Sequence, residues 1–238
     1  ANRPAHCWGY MFNGVYTAYL TTGETRYRDA VVRAMETVSR TPAYLFSDTP
    51  PVAWWRANSY SDAIESALVL LNREPNAALP QRIDDAVDRM LDVVEPSGIV
   101  EDWYGDGNTI RTALMYVMWK TQGAHLEPWS PRVHLGAVRD GNTVAMLVRA
   151  ETDWTGTLRL DHPRHRDHLH LPINYPRLNE WPEWFTVGHD KRYRVRVGTG
   201  SAQARLGAEL VQGLPMSLRA GESVMIEVAD DGDPPYGR

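Results

Sequence analysis

The segment Gly98-Ile99-Val100-Glu101-Asp102-Trp103-Tyr104-Gly105-Asp106-Gly107-Asn108 places three carboxylates and two large aromatic side chains in a glycine-punctuated loop ahead of an apolar helix. Aromatic rings stack on the apolar face of a pyranose, and carboxylates hold sugar hydroxyls or move protons. Paired carboxylates are what glycosidic hydrolysis uses, one protonating the leaving oxygen while the other activates water or attacks carbon. Crowding among Glu101, Asp102 and Asp106 would raise the pKa of at least one of them, as a general acid requires. Asp102 and Asp106 are the preferred pair, each beside an aromatic or a glycine, and Glu101 also suits an ion pair with a neighbouring cation. Trp103, Tyr104 and Asn108 complete the sugar-facing set. The structural alternative is a capped helix start, with Asp106 or Asn108 as N-cap and Trp103 as a core anchor.

Two further groups sit at helix starts. Asp62 and Glu65, three residues apart, share one helix face beside Ser61. The helix dipole alone favours acids there, and the chemical reading makes Asp62 a sugar ligand or an acid or base. Glu65 lies one turn deeper in an apolar helix and needs a partner such as Arg111 if buried. His6, Trp8 and Tyr10 open the first helix. A His and a Tyr beside an Arg and an Asn can also perform β-elimination on a uronate, abstracting the proton next to the carboxylate and protonating the departing oxygen; Arg111 and Asn108 would neutralise the acid group. A capping His with two core aromatics is the structural alternative.

The run Asp161-His162-Pro163-Arg164-His165-Arg166-Asp167-His168-Leu169-His170 holds four of the eight histidines. If extended, it turns His168 and His170 to one face, with Asp161 or His162 to close a metal site. Two arginines oppose a cation and no zinc-type spacing is present, so the run reads as a solvated loop and the sequence assigns neither metal nor cofactor. Asn179-Glu180-Trp181-Pro182-Glu183-Trp184-Phe185 alternates aromatics with acids and reads as a plug between the two halves of the chain rather than a sugar platform.

The elements that must position these residues change character along the chain. From His6 to Thr22, Trp8, Met11, Phe12, Val15, Tyr16, Tyr19 and Leu20 recur at helical steps, and Gly23 ends that helix. A second helix is expected over 24–40, stopped by Pro42, and a third is capped by Ser59 or Ser61. A fourth opens at Pro80, and a fifth runs from Thr109 to Thr121, ending at Gly123. The three helices that enter the hairpins arrive at intervals of about fifty residues, the spacing of an array of helical hairpins. Past Trp129-Ser130-Pro131 the period becomes alternating. Residues 132–138 and 143–149 flank Arg139-Asp140-Gly141-Asn142 as a hairpin. Further strands are expected at 156–160, 193–197, 208–211 and 223–228, with 213–222 a turn and an edge-like segment.

Hairpins entered through His6-Cys7-Trp8-Gly9-Tyr10, Tyr60-Ser61-Asp62-Ala63-Ile64-Glu65-Ser66-Ala67, Asp102-Trp103-Tyr104-Gly105-Asp106-Gly107-Asn108 and Arg111-Thr112-Ala113-Leu114, with a β-domain behind them, resemble the six-hairpin α/α toroids of glycoside hydrolases and polysaccharide lyases. The resemblance covers roughly the first half and concerns architecture. It implies an α+β chain, with a partial toroid over 1–128 and an antiparallel β-sandwich over 129–238, acting on a carbohydrate. About two and a half hairpins stand where a closed ring needs about six. The remainder is expected upstream in cis or as another chain, and the start at Ala1-Asn2-Arg3-Pro4 without Met reads as a piece of something longer.

Bulk properties set the outer limits. A net charge of −5 without a basic stripe argues against nucleic acid, and no apolar run reaches the length of a membrane span. Cys7 alone excludes an intrachain disulfide framework; this fits a reducing compartment and equally a secreted protein without disulfides.

Overall fold

The computed structural model describes residues 8–40, 54–92, 107–177 and 181–230, with side chains from residue 11 onward and, in the third helix, from residue 61. The chain is α+β: a helical N-terminal part followed by two antiparallel sheets. It forms two compact units. Residues 171–182 join 1–117 in the helical unit, and 118–170 with 183–238 form the other.

The helical unit is built from α1 (Trp8–Thr22), α2 (Thr25–Arg40), α3 (Trp54–Leu71), α4 (Leu79–Asp92) and α5 (Asn108–Lys120), whose last three residues belong to the second unit. Gly23 ends α1 as the sequence predicts: at φ +73° its N–H donates to the Tyr19 carbonyl at 2.8 Å, a left-handed stop that a β-carbon would strain. In α2, Val31, Met35 and Val38 recur at steps of four and three and are buried. Residues 63 to 70 of α3 are all buried, so this helix is the centre of the unit rather than an amphipathic surface element. It starts at Trp54, so Ser59 and Ser61 lie inside it rather than capping it, and Ser61 is buried. Asn76 caps α4, its Oδ1 accepting from the Ala78 and Leu79 N–H groups at 3.0 and 3.1 Å. Leu79, Ile83, Ala86, Val87 and Met90 form the buried stripe of α4. The fifth helix buries Thr112 and Met115 but leaves Ile110, Leu114 and Val117 exposed along one face.

In the second unit, β2 (Val133–Asp140) and β3 (Thr143–Ala150) form the expected hairpin, closed by Asp140 opposite Thr143 with Gly141 at φ +55°. The larger sheet has the order β2-β3-β8-β5-β6, with β5 (Arg192–Val197), β6 (Gln203–Leu206) and β8 (Ser223–Asp230). The smaller has the order β1-β4-β7, from β1 (His125–Glu127), β4 (Trp154–Arg159) and β7 (Leu214–Leu218). That order puts β7 at an edge. Alternate residues Val144, Met146, Val148 and Ala150 of β3 are buried, and they join Ile226, Val228, Tyr193 and Val195 in one hydrophobic cluster with Trp154, Leu158, Leu214 and Leu218 of the smaller sheet. Two expectations fail here. Residues 208–211 are not a strand but lie in α7 (Gly207–Gln212), where Leu210 alone of that stretch is buried; the short apolar run fits either period. The histidine run is not extended, because residues Arg164–Asp167 form one helical turn, α6. No helix among the described residues is long and apolar enough to cross a membrane.

Candidate functional site

The most developed polar constellation in the helical unit centres on Glu65, which α3 carries into the core at 1 % exposure. Arg111, one turn into α5, reaches it with both ends of its fork: Nε donates to Oε1 and Nη2 to Oε2, each at 2.8 Å. Thr112 donates its hydroxyl to Oε1 at 2.9 Å and lies 3.3 Å from the Ser61 carbonyl. Arg177 adds Nη1 and Nη2 at 3.4 and 3.3 Å from Oε2. A carboxylate offers about four lone-pair positions, so these protein donors saturate Glu65. The Arg111 and Arg177 side chains are each about a quarter exposed, at 26 % and 24 %. One buried anion therefore holds two guanidiniums at the surface of the unit, for a net charge of +1 within the trio.

Beside this cluster the middle of α3 meets the start of α5. The Ser61 and Thr109 hydroxyls are 3.4 Å apart, so the turn of α3 that carries Asp62 lies against the first turn of α5. Asp62 and Asn108, each adjacent in sequence to one of these contacting residues, are both partly buried. Tyr116 secures the other side of α5 by donating to Asp84 Oδ1 of α4 at 2.9 Å. Burial, and then the bond to Asp84, pushes that phenol above its ordinary pKa.

Of the residues singled out in the sequence, Glu65 and Arg111 are brought together, and the partner that Glu65 needed is the one it has. Asp62 does not stand at a helix start as expected, because α3 begins at Trp54 and carries it mid-helix, whereas Asn108 opens α5. Trp8 and Tyr10 lie in α1, without a description of their side chains; His6, Glu101, Asp102, Trp103, Tyr104 and Asp106 lie outside the described residues. Asn179 and Glu180 do too, whereas Glu183, Trp184 and Phe185 are buried in the second unit.

Sequence reasoning missed Arg177 and Thr112. Arg177 stands 112 residues from Glu65 in a segment without helical or strand period, so no local signal connects them. Its φ of +61° is a left-handed conformation that costs a non-glycine residue of order 1 kcal/mol or more, sustained here beside the Glu65 carboxylate. A second buried carboxylate repeats the arrangement past the other end of α3. Glu74 accepts from Tyr16 Oη at 2.8 Å and from Arg28 Nε and Nη2 at 2.6 and 2.7 Å. Burial, followed by that hydrogen bond, pushes the Tyr16 phenol up. In α1 the Asn13 amide is 2 % exposed, and neither its oxygen nor its nitrogen has a hydrogen-bond partner among the described residues.

Comparison with protein families, with curated proteins and with solved structures gives no significant match.

Proposed function

We propose that this chain is part of a carbohydrate-active enzyme, a partial α/α toroid of helical hairpins followed by a β-sandwich, that hydrolyses glycosidic bonds with carboxylates drawn from Asp62, Asp102 and Asp106. The observation that carries the reading is the juxtaposition of Ser61 and Thr109, which sets the Asp62 turn against the helix start into which the Asp102–Asp106 segment leads. Asp106 precedes Asn108 by two residues, so in sequence the second acidic group leads into the helix start that the mid-helix Asp62 turn packs against. Glu65 is a positioning residue in this reading: its lone pairs are taken, and it orients Arg111 and Arg177. Trp103 and Tyr104 supply stacking faces, and Asn108 a hydroxyl-binding amide. The exposed stripe Ile110, Leu114 and Val117 suits the packing of a further helical hairpin, upstream in the same protein or from another chain.

The paired guanidiniums favour a second reading. Two guanidiniums held side by side on Glu65 suit the acid group of a uronate, and a lyase would use Arg111 and Asn108 to neutralise it while His6 and Tyr10 move protons. The chain is incubated with neutral and with uronate-containing polysaccharides, and products are scored for new reducing ends and for near-ultraviolet absorbance of an unsaturated uronate. New ends without absorbance identify the hydrolase; absorbance identifies the lyase. Asp102→Asn and Asp106→Asn should abolish hydrolysis while the far-ultraviolet spectrum is kept. No product from any polymer would overturn both readings and leave a glycan- or partner-binding scaffold.

A further inference from the structure

The second unit holds a cluster that the glycan reading does not use. His162 Nδ1 lies 3.1 Å from Asp167 Oδ2, and His189 Nε2 lies 3.9 Å from the same oxygen. One donor atom from each of the three residues lies within 4.8 Å of the other two. Around a tetrahedral zinc ion with bonds of about 2.0–2.2 Å, ligand atoms stand about 3.3–3.5 Å apart. His162 and Asp167, at 3.1 Å, stand slightly inside that spacing. His189 is half-exposed at 49 % and sits in a turn, so rotation of its ring closes the remaining gap. We infer that His162, Asp167 and His189 form a mononuclear site for a divalent transition-metal ion of the zinc class, with a water molecule completing the coordination.

Three observations support the assignment. The ligands come from two stretches that the backbone ties together: Val187 N–H donates to the Asp161 carbonyl at 2.9 Å, and Ala208 N–H to the His189 carbonyl at 3.0 Å. The site therefore rests on anchored chain at both ends. Both arginines of the run are held on carboxylates, one of them on the outer oxygen of Asp167. Arg164 pairs with Asp161, and Arg166 Nε lies 3.0 Å from Asp167 Oδ1, leaving Oδ2 turned toward the imidazoles. Outer contacts of this kind orient metal ligands. The His168 ring meets the His162 ring edge-on at 4.7 Å and limits its rotation. Two imidazoles and one carboxylate suit zinc and its neighbours better than magnesium or calcium, which prefer all-oxygen sites.

The whole chain, stripped with chelator, is titrated with ZnCl2 by calorimetry and with CoCl2 followed by visible absorption. The expected result is one equivalent bound per chain, a cobalt spectrum with nitrogen ligation, and a zinc-dependent rise in melting temperature. His189→Ala, at a half-exposed side chain, and Asp167→Asn should each weaken binding at least about tenfold, the loss that even outer-shell changes produce. His125→Ala, on an exposed strand residue, should bind as the parent does. Absence of zinc uptake by the folded parent, or unchanged affinity in His189→Ala, would overturn the assignment. Neither result bears on the glycan reading, which is scored on polysaccharide products alone.

Discussion

Arg111 grips Glu65 with two parallel hydrogen bonds of 2.8 Å across 46 residues of sequence, joining the most buried helix of the N-terminal unit to the one whose start carries Asn108. The geometry is the bidentate fork that carboxylate and guanidinium form best. Its energetic role is asymmetric. A buried pair adds little over an apolar replacement, but stripping one member leaves the other desolvated and uncompensated.

Arg111→Ala should accordingly destabilise the chain by about 3–5 kcal/mol, and Glu65→Ala by a similar amount because it leaves two guanidiniums without their shared anion. The double variant should be less damaged than the sum of the singles, since each second substitution removes a group whose fork partner is already gone. Urea denaturation of the four proteins measures this. Additive losses would show that Glu65 and Arg111 act independently.

Thr112 tests the same cluster by a subtler change. Thr112→Val keeps the shape of a fully buried side chain and removes the hydroxyl that donates to Glu65 Oε1. A hydrogen bond to a charged group contributes about 1.5–3 kcal/mol, so a loss of that size is expected in the denaturation midpoint at an unchanged slope. A neutral substitution would mean that the two arginines alone satisfy the carboxylate.

Gly207 is required for space rather than for conformation. A β-carbon there would overlap the Gly188 carbonyl oxygen, which is backbone and cannot swing away, and would lie 3.2 Å from the Tyr193 ring. The close approach is fixed by the Gly207 N–H bond to the Lys191 carbonyl at 2.8 Å and by the bond from Gly188 N–H to the Tyr193 hydroxyl at the same distance. Gly207→Ala should cost about 1–3 kcal/mol, as overpacking does. A melting temperature equal to the parent's would show that the 188–191 turn yields.

Much of the fold was legible because local chemistry and burial agreed. Gly23 and Gly123 stop their helices at positive φ, Asp140-Gly141 turns its hairpin, and Val144, Met146 and Val148 alternate as an inward strand face should. Local signals failed at two places: α3 runs back through Ser59 and Ser61 to Trp54, and Leu210 enters the core from a helix rather than a strand. Within the candidate site the Glu65–Arg111 pair was readable, because a carboxylate at helical spacing among apolar residues demands a cation. Arg177 was not, since only tertiary contact relates it to residue 65. The metal cluster was misassembled for the same reason. His168 and His170 share a face only in an extended strand, whereas the turn of helix at 164–167 brings Asp167 beside His162, and His189 arrives from the following segment.

Asp167 also predicts how stability responds to acid in the metal-free protein. Partial burial pushes its carboxyl up, but hydrogen bonds from His162 and Arg166 outweigh that and hold it below the ordinary value. Because the folded pKa lies below the unfolded one, near 3.9, the stabilisation is fully present above the unfolded value and is lost as pH falls through the folded value. The unfolded state takes up the proton first, so unfolding becomes progressively easier in the window below about pH 4. Asp167→Asn removes the titrating group, and in chelator its stability should fall less steeply across that window than the parent's while being lower at neutral pH. Urea midpoints at a series of acidic pH values measure both effects. Parallel acid limbs for the two proteins would show that His162 and Arg166 do not engage this carboxylate in solution.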